Sequence, residues 1–402
     1  MPGPAGRRRA AEDETMTDNS TACGGLDGEH GFGRFFLPGP TEVRPAVLAA
    51  QKRALIGHRG EPINALMREI QPGLREVFGT SRPVLVSTSS ATGLMEAAVR
   101  NGVRERVLSL VNGAFSERFA RIARACGFEV DVLEAPWGGV HDPDAVRARL
   151  RAGRYDAVTM VHSETSTGAL NPIADLAAAV REFPGTLVLV DAVTSAGGAP
   201  VQADDRGLDF VLAGSQKAMA LPPGLAFGVA SERMLERSAN AARKGVYFDL
   251  VAFYNALAKE QTPNTPAVTL MYSLAEQLRH ISAEGLEGRW GRHAAMARRC
   301  ADWTDASQEC IDAGLSVLAP DGFRSPTVTC LLLPPGRTGP EVAQAMKERG
   351  FVIGAGYGRL KPRSVRIGHM GDHTVEELDR VLGALEEVLR APPGQGLAGG
   401  SR

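Results

Sequence analysis

Cysteine is scarce in this chain. The five residues, Cys23, Cys126, Cys300, Cys310 and Cys330, are odd in number and scattered. They form no C-x-x-C pair and no Cys/His cluster, so neither a zinc framework nor a disulfide-stapled fold is expected. They read as small, mostly buried hydrophobes. No apolar run approaches the ~20 residues a membrane span requires. The formal net charge is only −1, which supplies no global field to attract nucleic acid or an anionic membrane. The opening MPGPAGRRRAAEDETMTDNS carries charge but lacks the apolar stretch of a secretory signal, so the expected compartment is the cytoplasm.

The 402 residues suffice for two domains, and 44% hydrophobic with 23% charged residues is ordinary for a globular protein. Residues 1–33 are rich in Gly, Ala, Arg and acids without apolar periodicity and read as a disordered arm, as does the tail 392–402. From Val84 to Ser231 short apolar runs alternate with helical stretches. Strands are expected at Val84–Val86, Val107–Val111, Ala157–Val161, Thr186–Val190, Phe210–Leu212 and Phe227–Ala230. Helices are expected at Gly93–Arg100, Ser116–Cys126, Asp142–Arg151 and Ala174–Phe183. Apolar strands alternating with helices imply an α/β fold with a mainly parallel sheet buried on both faces. From Leu270 the pattern becomes helical (Tyr272–Ala283, Trp290–Ala313). A strand (Thr327–Leu333), a helix (Glu341–Arg349), a strand around Val365–Ile367 and a last helix (Val375–Leu389) follow. The expected organisation is a large domain over 34–270 and a smaller C-terminal α/β domain over 271–391.

Four motifs fall at strand ends, where parallel sheets gather ligands. Asp191, in V-D-A-V-T-S, follows the run Leu187–Val190, the place for a helix cap or for a carboxylate that holds a ring nitrogen protonated. Lys217 ends G-S-Q-K and is followed by Ala218-Met219-Ala220-Leu221. A lysine in so apolar a setting has its pKa lowered by burial, which frees the amine for Schiff-base chemistry. S-S-A-T-G, Ser89 to Gly93, opens a helix with hydroxyls and free N–H groups, as a phosphate cradle or simple N-cap. H-S-E-T-S-T-G, His162 to Gly168, offers hydroxyl and imidazole donors, or is a polar turn. An acid, a lysine, a phosphate cradle and hydroxyl donors together suit one cofactor.

In V-D-A-V-T-S followed by G-S-Q-K, the chain resembles the class V aminotransferases. These are fold type I enzymes dependent on pyridoxal phosphate (PLP), among them the alanine–glyoxylate, serine–pyruvate and phosphoserine aminotransferases. The resemblance spans about Phe36 to Leu389. It implies that Lys217 binds the cofactor as a Schiff base and that Asp191 pairs with the pyridinium nitrogen. Ser90, Ala91 and Thr92 correspond to the phosphate-binding turn, with Ala91 where Gly is usual; alanine suffices if its φ is not positive. Phe115, in N-G-A-F, corresponds to the aromatic that stacks on the ring, Thr165 to the residue on the ring-hydroxyl side, and Gln216 to a phosphate or positioning contact. Thr265, in T-P-N-T-P-A, corresponds to a phosphate ligand supplied by the neighbouring subunit, which implies a homodimer with shared sites. Arg366, in S-V-R-I-G-H-M-G, corresponds to the arginine that grips the substrate α-carboxylate bidentately. Gly39, in P-G-P-T, belongs to a loop that closes over the substrate. His58 and Arg59, in G-H-R-G, resemble a segment that contacts a substrate phosphate.

The activity implied is ping-pong transamination from a small L-amino acid of the alanine or serine type to a 2-oxo acid of the glyoxylate or pyruvate type. The alternatives are a phosphoserine or aspartate aminotransferase, another PLP reaction such as a lyase or epimerase, and a non-catalytic PLP-binding protein. No metal is called for.

Overall fold

The computed structural model describes residues 32–306 and 314–391. The expected terminal arms, Phe32 and Gly33 apart, lie outside the described residues, as do the last turns of the helix expected over Trp290–Ala313. Strands are labelled in chain order: β1 (Phe35–Phe36), β2 (Leu85–Ser87), β3 (Arg106–Val111), β4 (Glu129–Glu134), β5 (Ala157–Val161), β6 (Ser163–Glu164), β7 (Ala169–Leu170), β8 (Leu187–Asp191), β9 (Phe210–Gly214), β10 (Ala226–Ala230), β11 (Ser316–Val317), β12 (Thr329–Leu332), β13 (Val352–Ala355) and β14 (Ser364–Ile367).

Seven strands form a sheet in the order β2-β10-β9-β8-β5-β3-β4. The run β9-β8-β5-β3-β4 is parallel throughout, and β10 is antiparallel to β9 and β2. Its apolar strands are buried because helices cover both faces. Along β8, Val188 and Val190 enter a core shared with helices Glu61–Phe78 and Val268–Glu284. Leu187 and Leu189 enter the opposite core, with helices Ala91–Gly102 and Ala114–Ala125. The alternation delivers Asp191, next in the period-two series, to the second face.

The expected strands fall on β2, β3, β5, β8, β9, β10, β12 and β14. Several elements are additional, two of them large. Strand β4, EVDVLE, is a half-exposed edge strand whose alternating acids hide its apolar residues. Helix Glu61–Phe78 lies in a stretch with no element expected from the sequence; Pro62 suits its first turn, and Pro72 inside it removes one helical hydrogen bond. Its Ile63, Leu66, Met67, Ile70, Leu74 and Val77 nevertheless form one buried stripe, and packing overrides the proline.

The second sheet runs β1-β13-β14-β12-β11, antiparallel except for the parallel pair β1–β13. Two of its helices begin with the capping box T-x-x-E. Thr338 and Glu341 cap Gly339–Glu348, and Thr374 and Glu377 cap Val375–Arg390, each side chain taking an otherwise unpaired N–H. Met296, Val342, Met346, Leu378, Val381 and Leu385 fill the core against this sheet. Among the described residues no helix is long and apolar enough to cross a membrane, and no group of three acidic, His or Cys side chains is placed to hold a metal.

Candidate active site

Lys217 sits in the turn after β9 and is only 7% exposed. Its Nζ donates to the carbonyl of Pro38. Beside it Gly39 has φ +103°, and a Cβ there would lie 2.5 Å from the lysine's Cδ, Cε and Nζ, so only glycine lets this loop cover the amine. The Thr41 N–H bonds the Gln216 carbonyl at 3.0 Å and ties the same loop down. Burial lowers the Lys217 pKa from 10.5 to about 7. The Arg366 charge adds to the fall, and Asp191 and Glu164 oppose it.

Asp191, the last residue of β8, is 3% exposed. Its Oδ1 accepts the Val193 N–H at 2.8 Å, and among the described residues no cation lies within 4 Å of it. Burial raises its pKa to about 7. Thr165 meets Thr194 hydroxyl to hydroxyl at 2.5 Å. Phe115 opens helix Ala114–Ala125, with its ring centroid 5.6 Å from Lys217 Nζ.

Glu164, fully buried between His162 and Gly168, organises this corner. Its carboxylate accepts from Phe115 N, Ser116 N, Ser116 Oγ, Ser166 N and Ser166 Oγ, at 2.6 to 3.2 Å. An acid at a helix N-terminus takes up unpaired amides and suits the helix dipole. A Cβ on Gly113 would fall 2.4 Å from Glu164 Cγ, so glycine is required for this approach. Glu164 was not among the expected site residues. A lone glutamate in a polar turn gives no local signal of the five donors that the fold brings to it.

Helix Ala91–Gly102 begins with Ser90 as N-cap, its hydroxyl making no capping bond. Ser90 and Thr92 are exposed and Ala91 is buried. Ala91 is not among the residues with positive φ, so its side chain is no obstacle there. A Cβ on Gly214 would lie 2.8 Å from Gln216 Oε1 and 3.2 Å from Ala91 Cβ, which places the Gln216 amide at this helix start.

Arg366 lies in β14, 9% exposed. It spends two N–H groups on the carbonyls of Ala355 (3.1 Å) and Thr165 (3.4 Å), and among the described residues no carboxylate is within 4 Å. Burial lowers its pKa. Tyr357, absent from the expected set, stands 5.4 Å from the Arg366 guanidinium and 5.4 Å from the Phe115 ring.

Three expected residues lie elsewhere. Thr265, His58 and Arg59 make no described contact with Lys217, Asp191 or Arg366. They gather with one another instead: Arg59 donates to the carbonyls of His58 (2.7 Å) and Pro263 (3.2 Å), two residues before Thr265. Thr265 lines a shallow cleft with Ser87, Thr88 and Tyr247. Leu55 and Val246, 74% and 91% exposed, lie in the same stretches of chain. The His162 ring is buried with Nδ1 unpartnered, and burial lowers its pKa to about 3. The Arg206 charge adds to that fall, and the His162 backbone N–H bonds the Asp191 carbonyl at 2.8 Å.

The model of the family described as aminotransferase class-V matches residues 43–371. The serine–glyoxylate aminotransferase of Methylorubrum extorquens is 30% identical over 92% of this chain and 96% of its own. Among solved structures, alanine–glyoxylate aminotransferase from Nostoc superposes with a TM-score of 0.83 at 34% identity, covering 89% of this chain and 95% of that one. The subgroup IV aspartate aminotransferase from Thermus thermophilus does so with 0.80 at 35%, covering 89% and 99%. A buried lysine, an unpaired acid and a buried arginine without a carboxylate partner on this fold, together with a match across most of the chain, place the protein in the class-V aminotransferases.

Proposed function

We propose that this aminotransferase uses PLP and moves an amino group from a small L-amino acid, of the alanine or serine type, to a 2-oxo acid such as glyoxylate or pyruvate, by a ping-pong sequence. The observation that carries the cofactor is Asp191. A buried carboxylate with one hydrogen bond and no cation partner is costly to keep ionised, and a protonated ring nitrogen is the partner it lacks. The donor set suits the rest of the group. Lys217 would hold it covalently; Ser90, Ala91, Thr92 and Gln216 would take its phosphate; Phe115 would cover one ring face; and Thr165 would meet the ring hydroxyl side.

PLP, when bound, supplies an electron-poor ring that takes up the electron pair left at Cα when the C–H bond breaks. The chain does the remainder. Arg366, its unspent N–H groups free, grips the α-carboxylate. Asp191 keeps the ring nitrogen protonated. Lys217 Nζ, which burial favours as a neutral amine, would take the proton from Cα and deliver it to the cofactor carbon that carries the nitrogen. The Pro38–Thr41 loop and the buried walls exclude water. The relatives named for glyoxylate support that acceptor.

Thr265, His58 and Arg59 complete the proposal through a second copy. We assign their surface to a homodimer in which each subunit lends Thr265 to its partner's phosphate site; the exposed Leu55, three residues before His58, and Val246, next to the Tyr247 of the Thr265 cleft, favour burial there. We also assign residues 34–270 to a large domain and 271–391 to a smaller one. Among the described residues, Cys300 and Cys330 offer no desulfurase nucleophile, because burial raises their thiols to about 12 and 11; Cys310 lies outside the described residues.

The test is a set of stopped-flow half-reactions of the PLP-loaded protein with a panel of amino acids. Conversion of the cofactor to its amine form by alanine or serine is the expected result. No spectral change with any amino acid would overturn the reading. Lys217→Ala should abolish both turnover and the visible absorbance of the lysine-bound cofactor.

A further inference from the structure

A row of side chains runs along one wall of the site, from the amine to the arginine. Lys217 Nζ stands 5.6 Å from the Phe115 ring centroid, and the Phe115 and Tyr357 centroids are 5.4 Å apart with 30° between the stacked rings. The Tyr357 ring in turn stands 5.4 Å from the Arg366 guanidinium. Tyr357 is 37% exposed, so its ring fills no core and part of its apolar surface is left uncovered.

The ring is held at both ends. At the backbone, Tyr357 lies between β13 and the short helical turn Gly358–Leu360. The Gly356 N–H before it bonds the Ser364 carbonyl at 2.7 Å, and a Cβ on Gly356 would overlap the Leu360 carbonyl. After it, Gly358 has φ +55°, and a Cβ there would lie 3.1 Å from the Trp137 ring. At the far end, the Tyr357 hydroxyl accepts from Arg118 Nη2 at 3.0 Å. Arg118 also lies 4.8 Å from the Phe115 ring centroid, on the helix Ala114–Ala125 that carries Phe115. The tyrosine ring cannot swing aside without giving up one of these anchors.

A substrate with its α-carboxylate on Arg366 and its Cα within reach of Lys217 spans the two ends of this row. Phe115 is taken up in covering the cofactor ring, so Tyr357 is the member of the row left to meet the substrate's own substituent. We propose that Tyr357 is a specificity-determining residue, whose ring limits the length of the substrate side chain, and that Arg118 positions it. This rests on the small-substrate reading above and names the residue that enforces it. A short side chain stops before the ring, whereas each further methylene must displace a ring that has little freedom to yield.

The experiment measures kcat/KM in half-reactions of the PLP-loaded protein with the unbranched series alanine, 2-aminobutyrate, norvaline and norleucine. It uses the wild type, Tyr357→Ala, Tyr357→Phe and Arg118→Gln, each checked for the absorbance of the lysine-bound cofactor. In the wild type kcat/KM should fall along the series. Tyr357→Ala should raise the norvaline-to-alanine ratio by about 10- to 100-fold, the effect of a methylene group in a confined pocket. Tyr357→Phe keeps the ring and loses its bond to Arg118, so it and Arg118→Gln should raise the ratio by a similar, smaller factor. A readout without turnover is the binding of unreactive carboxylates, followed by the same absorbance: Tyr357→Ala should tighten pentanoate relative to propionate. An unchanged ratio in Tyr357→Ala overturns the proposal, and so does an equal loss for every amino acid, which would make Tyr357 a positioning residue for Arg366. A wild-type ratio in Arg118→Gln overturns the role given to Arg118. If the wild type prefers alanine and Tyr357→Ala keeps that preference, this proposal alone fails. If the wild type takes norleucine as readily as alanine, or no amino acid at all, the small-substrate reading fails and takes it along.

Discussion

Arg289 and Asp372 form an ion pair 2.9 Å apart with both side chains fully buried. Arg289 also donates to the carbonyls of Gly197 and Ala218, at 3.0 and 2.9 Å, and Asp372 takes a second cation from Arg44 at 2.7 Å. The pair therefore joins the loop after Asp191, the residue after Lys217 and the chain beyond Arg366. Arg289→Met leaves Asp372 buried with one fewer cation and two carbonyls unpaired. We expect a loss of about 3–5 kcal/mol in urea unfolding. The double variant Arg289→Met/Asp372→Leu should recover part of that loss, and a single variant as stable as wild type would contradict the role.

Gly39→Ala tests the loop over the lysine. The new methyl would fall on the Lys217 side chain and φ is +103°, so loop or lysine must move. Displacement on this scale costs about 100-fold in kcat/KM. Circular dichroism of the variant should match wild type, because the segment lies outside the main hydrophobic clusters. Wild-type kinetics in Gly39→Ala would refute the close approach.

Glu164→Gln tests the five-donor carboxylate. The amide cannot accept all five bonds, and a net loss of roughly 1–3 kcal/mol is expected for a buried charged acceptor. Because Phe115 N is one of its donors, PLP affinity should fall with stability. Titration of the cofactor into the protein reads the first, and thermal melting the second.

Asp191 and Lys217 predict how the cofactor-free protein responds to pH. The folded pKa of Asp191 is raised to about 7, so its contribution is present below about 4 and is lost as pH rises through 7. The folded pKa of Lys217 is lowered to about 7, so its contribution is present above about 10.5 and is lost as pH falls through 7. Both effects make neutrality the weak point. The stability that Asp191→Asn gains over wild type should increase from pH 5 to pH 8, and that of Lys217→Met should increase from pH 9 down to pH 6. A pH-independent difference in either would contradict the buried, unpaired state of that residue.

Much of this was legible in the sequence because strand-end motifs carry their own address. Asp191 follows four apolar residues of β8 and Lys217 follows β9, so period and position sufficed. Arg366 stood out as a charge inside an apolar strand. Glu164 and Tyr357 did not, since each acquires meaning only from partners 48 or 9 residues away, such as Ser116 and Arg366. Helix Glu61–Phe78 was not expected from the sequence; only its Pro72 carries a local cost, and a stripe of buried contacts outweighs it.

Strand β1 pairs with β13, and the Gly368 N–H bonds the Phe36 carbonyl at 2.8 Å, so the chain entering the Pro38–Gly39 loop is sewn into the sheet that carries Arg366. The cover over the lysine and the arginine proposed to hold the carboxylate are consequently one mechanical piece. Under that proposal a shift of the sheet would move lid and grip together. Capture and release would then be geared to each other.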